Sequence, residues 1–103
     1  MSHRKQNTEG MCKPIGDISD KVTALSNGVR ERILHTRGRC GTVHVFVKRG
    51  AVFAIDVESM TAQTMLRDPN ASLLGTYTRR AKPRDIADDF KTYVNELQEA
   101  RAA

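Results

Sequence analysis

Four side chains carry atoms that suit a metal ion: Cys12, His35, Cys40 and His44. Thiolate and imidazole ligands must converge within about 2.3 Å of one centre. In extended chain Cys40 and His44 would lie about 13 Å apart, at roughly 3.3 Å per residue, and the other spacings match no zinc pattern. Neither a metal nor a cofactor is expected. For acid–base chemistry the candidate pair is His44 with Asp56, diagonal neighbours across a hairpin and marginal for contact. No serine or cysteine has an evident base, and Gly38-Arg39-Cys40-Gly41 reads as a helix stop rather than a phosphate-cradling loop. No catalytic residue is assigned, and an enzyme is not expected.

Charge is the second source of chemistry. The formal net charge is +5, and the cations are clustered. Between Gly28 and Gly50 stand Arg30, Arg32, Arg37, Arg39, Lys48 and Arg49 against the single acid Glu31. Between Tyr77 and Lys91 stand Arg79, Arg80, Lys82, Arg84 and Lys91, with Asp85, Asp88 and Asp89 only late in the segment. A basic excess of this kind suits polyanions or acidic protein surfaces and is silent on fold.

These groups need elements to position them. Hydrophobic residues at 39% and charged residues at 28% describe a globular chain, long enough for one domain. No apolar run reaches the length of a bilayer span, and the N-terminus has no apolar stretch after Arg4 and Lys5, so no secretory signal is expected and the cytoplasm is the default. Cys12 and Cys40 are then expected as free thiols. Residues 1–17, with Gly10, Pro14 and Gly16 and no apolar period, read as a flexible arm before a single domain over 18–103.

A first helix is expected over 18–35, where Ile18, Val22, Leu25, Val29 and Ile33 form one stripe. Asp17 or Ser19 is expected to cap it, and Gly38 to end it. Ser26-Asn27-Gly28 in its middle admits a helix-turn-helix, but the apolar phase runs unbroken across Gly28 and favours one kinked helix. The strongest signal follows. Residues 42–57 form two β-branched and aromatic runs around Lys48-Arg49-Gly50, a hairpin. A three-residue loop pairs Val47 with Ala51, Val45 with Phe53 and Val43 with Ile55, which gathers the large apolar groups on one face. A two-residue turn at Arg49-Gly50 would spread them over both faces, so the three-residue loop is preferred. Residues 59–67 fit either a short helix capped by Ser59 or a third strand, and Asp68-Pro69-Asn70 marks a turn. Leu73 to Thr78 reads as a strand. Pro83 and Asp85 open a last helix with Ile86, Phe90, Val94 and Leu97 on one side. The fold expected is α+β: an N-terminal helix, an antiparallel sheet of three or four strands built on the hairpin, and a C-terminal helix packed on that sheet.

Two contact surfaces follow from this layout. In a meander the last strand would end beside the start of the first, gathering Arg37, Arg39, Arg79, Arg80, Lys82 and Arg84 at one edge, a phosphate-backbone site of low sequence specificity. The outer hairpin face would carry His44, Phe46, Val52 and Ala54, more apolar than a solvated sheet needs. It would be covered by the first helix, by a second copy in a homodimer, or by a foreign protein, an acidic one suiting the basic balance of the chain. The leading expectation is a small non-enzymatic binding or regulatory protein docking through the basic edge onto nucleic acid. The alternative is a protein-directed inhibitor or adaptor, of the kind phages and plasmids encode, using the hairpin face.

One resemblance adds a third reading. Leu74-Gly75-Thr76-Tyr77-Thr78-Arg79-Arg80, followed by Pro83 and a helix with Asp85-Ile86, resembles the end of RelE/ParE-type toxins, where an aromatic and basic strand end precedes a proline and a helix. The resemblance covers only this C-terminal stretch, and the insertion at 58–72 departs from the family pattern. It implies an RNase toxin as a minor alternative.

Overall fold

The structure is a computed structural model that describes residues 13–18, 21–36 and 41–102. Its elements are β1 (Gly16–Asp17), α1 (Val22–Leu34), β2 (Val43–Lys48), β3 (Ala51–Asp56), α2 (Met60–Arg67), β4 (Ala71–Tyr77) and α3 (Pro83–Ala102). The four strands form one antiparallel sheet in the order β1-β3-β2-β4. The layout is the expected α+β one, with helices at both ends of the chain.

The hairpin closes on two residues, not three. Arg49 and Gly50 have φ values of 53° and 84°, the paired left-handed geometry of a type I′ turn, whose twist matches that of the flanking strands. Lys48 therefore sits opposite Ala51, Val47 opposite Val52, Phe46 opposite Phe53 and Val45 opposite Ala54. The expected register fails because it assumed that one face of the sheet meets water. Both faces are covered, and a strand buried on both sides reads as a near-continuous apolar run. On one side Val43, Val45, Val47, Val52 and Ala54 pack with Leu25, Val29 and Ile33 of α1 and with Ile86 and Phe90 of α3. On the other, Phe46 and Ile55 pack with Ala62 of α2, and Phe53, Met65 and Ala71 border them.

The ambiguous segment 59–67 is thus a helix with a structural task. Ser59 Oγ accepts the Ala62 N–H at 3.1 Å, which caps α2, and the cap itself is held by the Asp56 carbonyl at 2.8 Å. Capping matters for so short a helix, since eight residues barely repay nucleation. Phe46 is completely buried beneath it.

Helix α1 is continuous across Ser26-Asn27-Gly28, so no helix-turn-helix forms. It starts at Val22, later than expected, with Lys21 at the cap position and no side-chain cap. Ile18 is buried ahead of the helix, its N–H bonded to the Gly50 carbonyl at 2.7 Å. Gly28 has a packing reason: a Cβ there would lie 2.5 Å from Ile15 Cγ2. Residues 15–17, expected in the arm, accordingly join the edge of the sheet. Ile15 donates to the Val52 carbonyl at 2.7 Å, and Gly16 and Asp17 pair with Val52 and Ala51. Residues 1–12, with Cys12, lie outside the described residues, as do Ser19 and the stretch 37–40 with Arg37, Gly38, Arg39 and Cys40. No helix among the described residues is long and apolar enough to cross a membrane.

Candidate nucleic-acid interface

Strand β4 pairs with β2, not with β3 as a meander would require, and its last residue Tyr77 stands opposite Val43. The turn that follows β4 therefore reaches the start of β2, at the end of the sheet away from the Arg49-Gly50 turn. Pairing slips by one residue between Val45 and Phe46, so that Leu74 is extra in β4; this bulge turns Leu74 toward the core under α1 and α3.

The turn between β4 and α3 is built largely from its own backbone. The Thr78 carbonyl accepts the Ala81 N–H at 3.0 Å, and Thr78 Oγ1 accepts the Arg80 N–H at 3.2 Å. The Lys82 carbonyl accepts from Asp85 and Ile86 at 3.0 and 3.2 Å, and Pro83 begins α3 where no N–H is needed. Two cross-chain contacts then hold the turn in place. Arg30 of α1 donates from Nη1 to the carbonyls of Arg79 and Ala81, the latter at 3.0 Å. The Arg79 side chain lies across Gly41, where any Cβ would collide with it; Gly41 also has a φ of 56°. At the base of the turn the buried Tyr77 donates its hydroxyl to Asp89 Oδ2 of α3 at 2.8 Å. Burial and the neighbouring carboxylate hold the Tyr77 hydroxyl well above the usual phenol range.

Arg79, Arg80, Lys82 and Arg84 project from this framework, and all four are exposed. None makes an ion pair with a carboxylate among the described residues. Their position also sets them against the helix dipole. Lys82 and Arg84 flank the N-terminus of α3, where the dipole is already positive and each added cation costs about 0.3–1 kcal/mol. Asp85 in the first turn offsets part of this. An anion placed there would relieve this arrangement, because the cations and the positive end of the helix converge on one region. The other end of the sheet is different. Lys48 Nζ lies 2.6 Å from Asp68 Oδ2, and this contact, with the Asn70 N–H, holds the Asp68 carboxyl below the usual carboxylate range.

Of the six cations expected at the basic edge, four are thus brought together, while Arg37 and Arg39 lie outside the described residues. Arg30 was not among them. It sits beside the buried Val29, but the turn it holds is some fifty positions away in sequence, a separation that local patterns do not reveal.

The proposed hairpin surface is not an exposed surface in this chain. Phe46 lies under α2, while Val52 and Ala54 lie on the opposite face under α1. His44 is the most exposed of that set; its Nδ1 is 2.8 Å from Thr76 Oγ1, and its ring packs edge-on against Phe46 with centroids 5.8 Å apart. The two-residue turn also separates His44 from Asp56: His44 faces α2, whereas Asp56 stands opposite Val43 with the other face's residues. Asp56 instead organises the entry to α2, its Oδ1 accepting the Glu58 N–H at 3.1 Å. The expected acid–base pair is therefore not formed. Tyr77, the aromatic residue of the toxin-like stretch, is buried and donates its hydroxyl to Asp89.

Comparison with protein-family models, with curated proteins and with solved structures finds no match for this chain.

Proposed function

We propose that this chain is a small non-enzymatic binding protein that docks onto the phosphate backbone of nucleic acid through Arg79, Arg80, Lys82 and Arg84. The observation that carries the reading is the turn itself. Four exposed cations without described carboxylate partners stand within six residues, on backbone immobilised by Arg30, around a helix end that is already positive. Holding cations together in this way raises the local potential and lowers the ordering cost of binding, since the turn need not be fixed by the ligand. Backbone contact of this kind confers little sequence preference. The reading places the chain in a compartment with nucleic acid, the cytoplasm in the simplest case.

Fluorescence anisotropy with a labelled oligonucleotide at low salt tests it. Replacing Arg79 and Arg80 by Ala should weaken binding at least tenfold. Arg49→Ala, at the opposite end of the sheet, should change it less than twofold. Equal losses in the two variants, or no binding by the unaltered chain, would sink the proposal. Binding of acidic proteins with the same affinity as nucleic acid would also count against it.

A further inference from the structure

On the other side of α1 from the basic turn lies an open cavity of about 280 Å³. We infer that it seats one unpaired nucleotide, so that the nucleic acid bound by this chain is single-stranded. The inference rests on the proposed function only in taking nucleic acid as the polymer.

The chemistry of the walls selects the ligand. Ile15, Gly28 and Ala54 form a floor with no charge and little polarity, which a planar heterocycle covers without stranding polar groups. His35 lines the cavity as well. Its Nδ1 is 2.7 Å from the Glu31 carbonyl, which fixes that nitrogen as the donor and holds the ring in one orientation, as a stacking surface needs. Lys13 and Arg32 supply two cations for a phosphate, and Glu31 supplies a carboxylate that accepts from the amino or imino N–H of a base. An anion alone would leave the floor empty and would meet Glu31 with the wrong sign. An apolar ligand alone would leave Lys13 and Arg32 unused. A nucleotide, apolar and hydrogen-bonding at one end and anionic at the other, matches both. The volume lies near the lower limit of ligand sites, the size of one such unit rather than of a base pair.

Location supports the same ligand. Arg30 and Arg32 lie on opposite sides of α1, two positions apart along a helix of 3.6 residues per turn. Arg30 holds the basic turn, and Arg32 lines the cavity. A strand whose phosphates follow residues 79–84 can therefore pass over the C-terminal half of α1 and place a base in the cavity. Duplex can use the first site and not the second.

The test uses the full chain, labelled with ¹⁵N for amide NMR, with uridine 5′-monophosphate and inorganic phosphate as probes. Anisotropy is measured alongside for a single strand and a duplex of equal length. The monophosphate should shift the amides of Ile15, Gly28, Arg32, His35 and Ala54, and phosphate should leave Ala54 unmoved. The double variant R32A/H35A, whose two positions are partly or fully exposed, should lose about 5- to 150-fold for the single strand, the range for one stacked base, and less than twofold for duplex. Lys13→Ala, outside any helix, guards against a folding defect and should act in the same direction. Loss of equal size for both polymers, or monophosphate shifts that miss the cavity, would overturn the inference while leaving the basic turn standing. Failure of both polymers to bind would remove the basic-turn reading, and the monophosphate shifts would still decide the cavity.

Discussion

Gly28→Ala has a sign that the structure reverses. In an open helix interior this change stabilises by about 1 kcal/mol, because glycine gives up more backbone freedom on folding. Here the new Cβ would lie 2.5 Å from Ile15 Cγ2, against an ordinary carbon–carbon contact of about 3.5–4.0 Å. Relief of about 1 Å is needed. Ile15 cannot supply it by rotation, since its branched Cβ restricts χ1 and its N–H is fastened to Val52 at 2.7 Å. The strand or the helix must shift, an overpacking cost of about 1–3 kcal/mol. The expected net effect is destabilisation of up to about 2 kcal/mol. Shortening the neighbour should restore the usual sign: in an Ile15→Ala background, Gly28→Ala should stabilise by about 1 kcal/mol. The chain has no tryptophan, so urea unfolding is best followed by circular dichroism at the helix band. The double-mutant cycle should give a coupling of about 1–3 kcal/mol. Stabilisation of the same size in both backgrounds, with coupling below about 0.5 kcal/mol, would refute the close packing of β1 on α1.

Two further perturbations examine the second face and the base of the turn. Phe46→Ala should cost about 3–5 kcal/mol in urea unfolding, because α2 covers the ring completely, whereas Met60→Ala on the exposed side of that helix should stay within about 0.5 kcal/mol; a mild Phe46 variant would mean the hairpin face is open after all. Tyr77 keeps its proton to higher pH when folded than when unfolded, so its contribution is complete below about pH 10, the unfolded value, and is lost as pH rises from there toward the folded value. Tyr77→Phe should accordingly be less sensitive to alkali above pH 10 in thermal melts, and an unchanged alkaline slope would argue against the Tyr77–Asp89 contact.

The outer elements were legible because each presents a complete apolar stripe. Leu25, Val29 and Ile33, and Ile86 and Phe90, are buried where helical spacing puts them. The hairpin was legible too, and its register was not. Separating the large residues of 42–57 onto one face is sound reasoning only for a sheet with one wet side, and the cover for the second side comes from α2, whose eight residues are too few for their apolar pattern to be told from a short strand. With 59–67 a helix capped by Ser59, one of its two readings, Phe46, Phe53 and Ile55 have a place to go, and Arg49-Gly50 can be the I′ turn it is. Strand order is a property of long-range pairing, and nothing local announces that β4 joins β2 or that Leu74 is extra. The basic turn shows in sequence as a run of cations. What makes it a framed site, the reach of Arg30 to two carbonyls and the bed that Gly41 provides for Arg79, becomes visible only when distant segments are brought together.

The central claim is that the cations of the turn meet phosphates, and the salt dependence of binding addresses it most directly. The four phosphate contacts of the turn contribute a slope of about −2.8 to log K against log salt for a single strand, from roughly −0.7 per contact. Between 50 and 200 mM salt that is a loss of about 50-fold. Replacing Arg79 and Arg80 by Ala should flatten the slope by about 1.4. A slope near zero, or one that the double variant leaves unchanged, would contradict the account.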